Sequence, residues 1–114
     1  TTAAVVAVLG LRTCTPPGPQ PHECVESEGH DRDSLGLPGV QQQLLQALAA
    51  ATAGRKPLVV VLINGGAISV GWAASSAAVG AILEAWYPGQ EGGLAIADAL
   101  FGDVAPAGRM PVTT

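Results

Sequence analysis

Three apolar runs of strand length punctuate the chain: Ala4–Leu9, Leu58–Ile63 and Ala81–Trp86. The first two are continuous and rich in β-branched residues, which is the pattern of strands covered on both faces, as parallel strands are in α/β proteins. Between them Val40, Leu44, Ala47, Leu48 and Ala51 recur at helical spacing. They predict a helix from Pro38 to Ala53, with Pro38 suited to its first turn and Gly54 to its C-terminal cap. Between the second and third runs, Ser69 is placed to cap a short helix through Val70, Trp72, Ala73 and Ala77. After the third, Gln90–Phe101 reads as a helix, with Glu91 favourably placed in its first turn and Gly102 just past its end. Arg109–Thr113 is the candidate for a further short strand, which Pro111 confines to an edge or a strand start.

Strand and helix alternate three times, so the expected fold class is α/β: a mostly parallel sheet flanked by helices, a three-layer sandwich. A chain of 114 residues holds one domain or a piece of one. Both ends read as cut, the first almost inside an apolar run, so a fragment of a larger domain is expected. Hydrophobic residues at 48% against charged residues at 12% suit a buried aliphatic core and exclude the composition of a disordered chain. The net charge of −4 has no cluster of Lys and Arg behind it, which argues against a nucleic-acid partner. The longest aliphatic run, Leu58–Ile63, is far short of the ~20 residues of a membrane-spanning helix, and no targeting signal is recognised.

In an open parallel sheet, ligands bind beyond the carboxyl ends of the strands. The loops expected at that edge are 12–37, 64–69 and 87–91. The first is far longer than the usual ~2–6 residue connection, and long loops are commonly functional. It holds Glu23, Glu26, Glu28, Asp31 and Asp33, five of the nine acids in the chain. An acidic loop has an ordinary reading as a solvated, turn-rich surface. The run Glu26-Ser27-Glu28-Gly29-His30-Asp31-Arg32, however, sets carboxylates beside an imidazole and a guanidinium, which pair and tune one another's proton affinity. One carboxyl held protonated acts as a general acid, the role a glycosidase needs opposite a second carboxylate.

Those residues carry a resemblance. Glu28-Gly29-His30-Asp31-Arg32, followed by Leu35-Gly36-Leu37-Pro38-Gly39 and Gln41, resembles the loop-to-helix segment of the C-terminal α/β sandwich domain of glycoside hydrolase family 3. The similarity continues through residues 54–66, then Ala81 to Trp86 and Tyr87-Pro88-Gly89-Gln90-Glu91-Gly92-Gly93, and closes with Leu100-Phe101-Gly102-Asp103-Val104 and Gly108 to Thr113. Nearly the whole chain is covered, in order. Within the family it leans toward the β-xylosidase and β-glucosidase branches, retaining exo-enzymes that remove terminal sugars from oligosaccharides and glycosides. The resemblance implies an N-terminal (β/α)8 barrel that carries a nucleophilic Asp, absent from these residues. It implies a loop of the sandwich domain that supplies the acid/base, matched here by Glu28 with Glu26 as the fallback, and it implies no cofactor. The 114 residues alone are then expected to be inactive. The alternative is a non-catalytic descendant of the domain, used for carbohydrate binding or as a structural element. The resemblance also implies an opening strand and helix of the sandwich that residues 1–114 do not include, and the Pro-rich stretch from Arg12 to Glu23 is not a family signature.

Cys14, Cys24, His22 and His30 lack the short paired spacing of a zinc site, and no metal is expected. A Cys14–Cys24 disulfide closing the long loop stays open as a possibility; it would indicate an oxidising compartment and hence a secreted, extracellular protein. Asn64-Gly65-Gly66 and Gln90-Glu91-Gly92-Gly93 lack the ordering of a nucleotide-binding loop and read as turns that let a neighbour approach. Trp72 and Trp86 are candidates for stacking on a sugar ring, with Trp72 reading better as core.

Overall fold

A computed structural model of the protein describes residues 3–12, 25–53 and 55–113. The elements run β1 (Val5–Gly10), α1 (Gln41–Thr52), β2 (Leu58–Ile63), α2 (Gly71–Ser75), β3 (Val79–Glu84) and α3 (Gly92–Phe101). The three strands form one parallel sheet in the order β1-β2-β3. The fold is α/β, as the alternation of runs requires. β2 occupies the central position and coincides with the Leu58–Ile63 run, the least interrupted β-branched stretch in the chain. Its Leu58, Val60 and Val61 have no exposed surface.

Register sets the faces. Ala7 lies beside Val60 and Leu9 beside Leu62, while Val60 also lies beside Ile82. This face carries the core, built with Leu45 and Ala49 of α1, Ala73 of α2, and Ile68 and Val70 of the segment before α2. The core is aliphatic because the sequence has almost no large aromatic side chains to place there. On the opposite face, Leu83 and Ala85 at β3 border an apolar cavity of about 250 Å³ with Ala95, Ile96 and Ala99 of α3.

Several expectations are corrected. The two helices that follow β1 and β2 pack on the same face, and on the other face α3 lies by β3, so the far face of β1 is uncovered: Val6 is 46% and Val8 58% exposed. In β1 continuity of the apolar run therefore does not mean two-sided burial within these residues, whereas in β2 it does: Val60 and Val61, on opposite faces, are both buried. In α1 the buried stripe is Leu45, Ala49 and Thr52, about one residue round from the expected stripe of Val40, Leu44, Ala47, Leu48 and Ala51, of which Leu48 is half-buried against the core and the other four are exposed. α1 starts at Gln41, three residues after Pro38, because Gly39 takes φ +60 and turns the chain first. Gly54 lies outside the described residues. The residue before α2 is Val70, with no side-chain cap, so Ser69 does not cap the helix; its N–H donates to Leu35 O at 2.7 Å instead. Glu91 precedes α3 without a capping bond, and Gly102 ends the helix at φ +86 as expected. Residues 109–113 form no strand and are exposed; Arg109–Thr113 finds no partner strand among the described residues.

β3 runs from Val79 to Glu84, two residues earlier than the apolar run suggests. Gly80 is the extra residue where Leu58 and Val59 pair with Val79 and Ala81, a bulge. The far end closes at Trp86, whose φ of 53 is left-handed and ends the extended conformation. Its N–H donates to Glu84 Oε1 at 3.1 Å.

Candidate active site

The carboxyl ends of β1, β2 and β3 bring together Gly10–Arg12, Asn64–Ala67 and Ala85–Pro88, and the segment 25–40 lies against them. Backbone at Gly10 passes so close to β2 that a Cβ there would sit 1.9 Å from Ile63 O. Gln41, the first residue of α1, holds this point: its Oε1 accepts from Gly10 N–H and its Nε2 donates to Gly10 O, each at 2.8 Å. Tyr87 spans the same edge. Its hydroxyl donates to Leu11 O at 3.2 Å, and its ring lies where a Cβ on Gly65 would be, 2.4 Å away. The Asn64-Gly65-Gly66 turn thus admits side chains from two other loops, as turns that let a neighbour approach should. Asn64 is fully buried and shapes the turn by donating from Nδ2 to Gly66 O at 2.9 Å.

The acidic segment folds into a tight hairpin. Ser27 N–H donates to His30 O at 2.9 Å and His30 N–H donates to Ser27 O at 3.0 Å, an antiparallel bridge with Glu28 and Gly29 as the two turn residues. Gly29 takes φ +76, a conformation open to glycine without cost. Glu28 is therefore carried at the apex, exposed. Glu26 has a different setting. It sits at the base of the hairpin, where its Oε2 accepts from Arg32 Nη1 at 2.8 Å; the two side chains are 20% and 9% exposed. Arg32 Nη2 also donates to Ala67 O in the loop after β2.

The structure thus gives the two candidate carboxylates different settings: Glu28 is exposed and Glu26 is paired with Arg32. Asp31 and Asp33 are exposed. His30, Arg32 and Asp33 border a hollow of about 410 Å³ with Val25, Leu37 and Pro38. Cys14, Cys24, His22 and Glu23 lie outside the described residues. Trp72 is 38% exposed, which corrects its reading as core, while Trp86 is half-buried at the carboxyl edge. Sequence reasoning missed Tyr87 and gave Gln41 no role; the glycines at 10 and 65, each facing an atom too close for a Cβ, were the available signals.

Residues 1–114 match the glycosyl hydrolase family 3 C-terminal domain throughout. The chain belongs to glycosyl hydrolase family 3. It is 48% identical over 109 residues to probable beta-D-xylosidase 7 of Arabidopsis thaliana, which covers 96% of this chain and 13% of that protein. It is equally 48% identical, over 88 residues, to a beta-glucosidase of Rhizobium radiobacter, covering 77% of this chain and 10% of the relative. Among solved structures, a family 3 exo-beta-xylosidase in complex with a xylobiose aziridine activity-based probe superposes with TM-score 0.77 at 33% identity, over 94% of this chain and 12% of that one. The chain thus spans about an eighth of the length of these family 3 glycosidases. It corresponds to part of their C-terminal domain, and the three-strand parallel sheet is that domain's fragment.

Proposed function

We propose that this segment supplies the general acid/base of a retaining, exo-acting β-glycosidase of the β-xylosidase or β-glucosidase type, and that Glu28 is that residue. The observation that carries the reading is the hairpin 27–30. Of the two carboxylates in the Glu26-Ser27-Glu28 run, it exposes Glu28 at its apex and leaves Glu26 engaged with Arg32. An acid/base must meet a substrate oxygen, so a presented carboxylate suits the task and one held by a guanidinium does not.

The partner in this reading is an N-terminal (β/α)8 barrel bearing a nucleophilic Asp. In the first step the Asp carboxylate bonds to the anomeric carbon as the bond to the leaving-group oxygen breaks, and Glu28 delivers its proton to that oxygen. In the second step the Glu28 carboxylate takes a proton from water while the water oxygen replaces the Asp at the anomeric carbon. Two displacements retain the configuration. A loop carrying the acid on a separate domain lets that carboxylate approach the bond from the side opposite the barrel. Secretion, and a Cys14–Cys24 disulfide in the same long loop, complete the proposal. The test is Glu28→Gln in the full-length enzyme, compared on substrates whose leaving groups do and do not need a proton.

A further inference from the structure

We infer that Arg32 is the positioning residue of this acid/base, acting on Glu28 through the hairpin and without touching substrate. The inference rests on Glu28 being the acid/base. Arg32 lies two residues beyond the hairpin and Glu26 one residue before it, so their 2.8 Å ion pair closes the base of the loop that carries Glu28. The other arm of the same guanidinium donates to Ala67 O, which fixes that closed loop to the turn after the central strand. A planar fork performs both tasks at once, and a lysine ammonium cannot reproduce its fixed directions.

The surroundings fit a directional role better than a stabilising one. The Arg32 side chain is 9% exposed, and its Nε is buried with no hydrogen-bond partner among the described residues. Burying a guanidinium with one nitrogen unsatisfied is costly, and buried ion pairs contribute little net stability against apolar replacements. What the pair fixes is geometry. Gly66 makes room for it: a Cβ there would lie 3.3 Å from Nη1 and 3.4 Å from Nη2. A second tie, Ser69 N–H to Leu35 O at 2.7 Å, holds the segment downstream, so losing Arg32 frees the hairpin without detaching the whole loop.

The experiment compares Arg32→Ala, Arg32→Lys, Glu28→Gln and the double variant Arg32→Ala/Glu28→Gln in the full-length enzyme. Substrates are xylobiose or cellobiose, whichever the enzyme cleaves, and the matching dinitrophenyl glycoside. Misplacing a catalytic group by about 1 Å costs on the order of 100-fold in rate, so Arg32→Ala should lose about that much kcat on the disaccharide. Its KM should stay within about threefold and its glycosylation rate on the dinitrophenyl glycoside, by pre-steady-state burst, within about fivefold. Arg32→Lys should fall between Arg32→Ala and the parent. In the Glu28→Gln background, Arg32→Ala should cost less than about threefold, since residues acting as a unit are not additive. Loss of the same size on both substrates, or full additivity in the double variant, overturns the positioning role while leaving Glu28 in place. Glu28→Gln without leaving-group selectivity overturns the acid/base assignment and this inference together. A variant that does not fold is replaced by Gly66→Ala, whose Cβ presses on the guanidinium; it should shift kcat on the disaccharide in the same sense, and an unchanged kcat there counts against the role.

Discussion

The side-chain amide of Gln41 grips the backbone of Gly10 on both of its polar groups, at 2.8 Å each. One residue at the start of α1 thereby fixes the carboxyl end of β1, where the chain leaves the sheet toward the acidic loop. The contact also explains why this helix begins at Gln41 and not at Pro38: the side chain has to face the strand end, and the turn at Gly39 brings it there.

Gln41→Ala leaves the Gly10 N–H and carbonyl to half-buried surroundings without partners. It should lower stability by about 1–3 kcal/mol, read as a shift in the urea midpoint with unchanged slope. Gln41→Glu replaces the donor with a second acceptor facing a carbonyl oxygen, and should cost more than Ala. A midpoint unmoved by both substitutions would show that the clamp contributes nothing.

The central strand and the order of the elements were legible because Leu58–Ile63 is both β-branched and bounded by Pro57 and the Asn64-Gly65-Gly66 turn. Boundaries were less so. β3 is shifted because Trp86 takes a left-handed φ, which no apolar pattern announces in a tryptophan, and because a bulge at Gly80 admits an extra residue. The exposed face of β1 was hidden for a different reason. A continuous apolar run records the burial of a strand in its whole domain, and these residues place both α1 and α2 on one side. In the site, the sequence grouped Glu26, Glu28 and Arg32 by charge, and pairing was a fair inference. Which carboxylate pairs was not legible, because it depends on a two-residue turn that points one acid out and turns its neighbour back.

That turn depends on Gly29, whose φ is +76 with nothing near the position a Cβ would take. The constraint is conformational and not steric, so Gly29→Ala should cost about 1–2 kcal/mol locally, enough to open the hairpin part of the time. Gly29→Asn, which tolerates the left-handed region, should retain more activity than Gly29→Ala, and Gly29→Val less. Steady-state kcat on a disaccharide across the three variants checks the order; equal values would detach the hairpin from catalysis.

The 114 residues by themselves should give no turnover. Retaining hydrolysis needs two carboxyl groups about 5–5.5 Å apart across the scissile bond, and in the proposed mechanism the nucleophile comes from a barrel outside these residues. Purified segment assayed against aryl xyloside and aryl glucoside should match buffer, and activity there would place both carboxylates within this chain.

The most direct measurement is on the full-length enzyme with Glu28→Gln. Without a proton donor, natural oligosaccharides should be cleaved very poorly, whereas aryl glycosides with acidic phenols leave unaided and should keep their first step. The covalent intermediate should then accumulate, because no base activates water. Azide needs no general base, so it should restore turnover and yield a glycosyl azide with the substrate's anomeric configuration, while Glu26→Gln should show neither the selectivity nor the rescue. Equal loss on both substrate types with no azide effect in Glu28→Gln, or rescue in Glu26→Gln in its place, would contradict the assignment of Glu28.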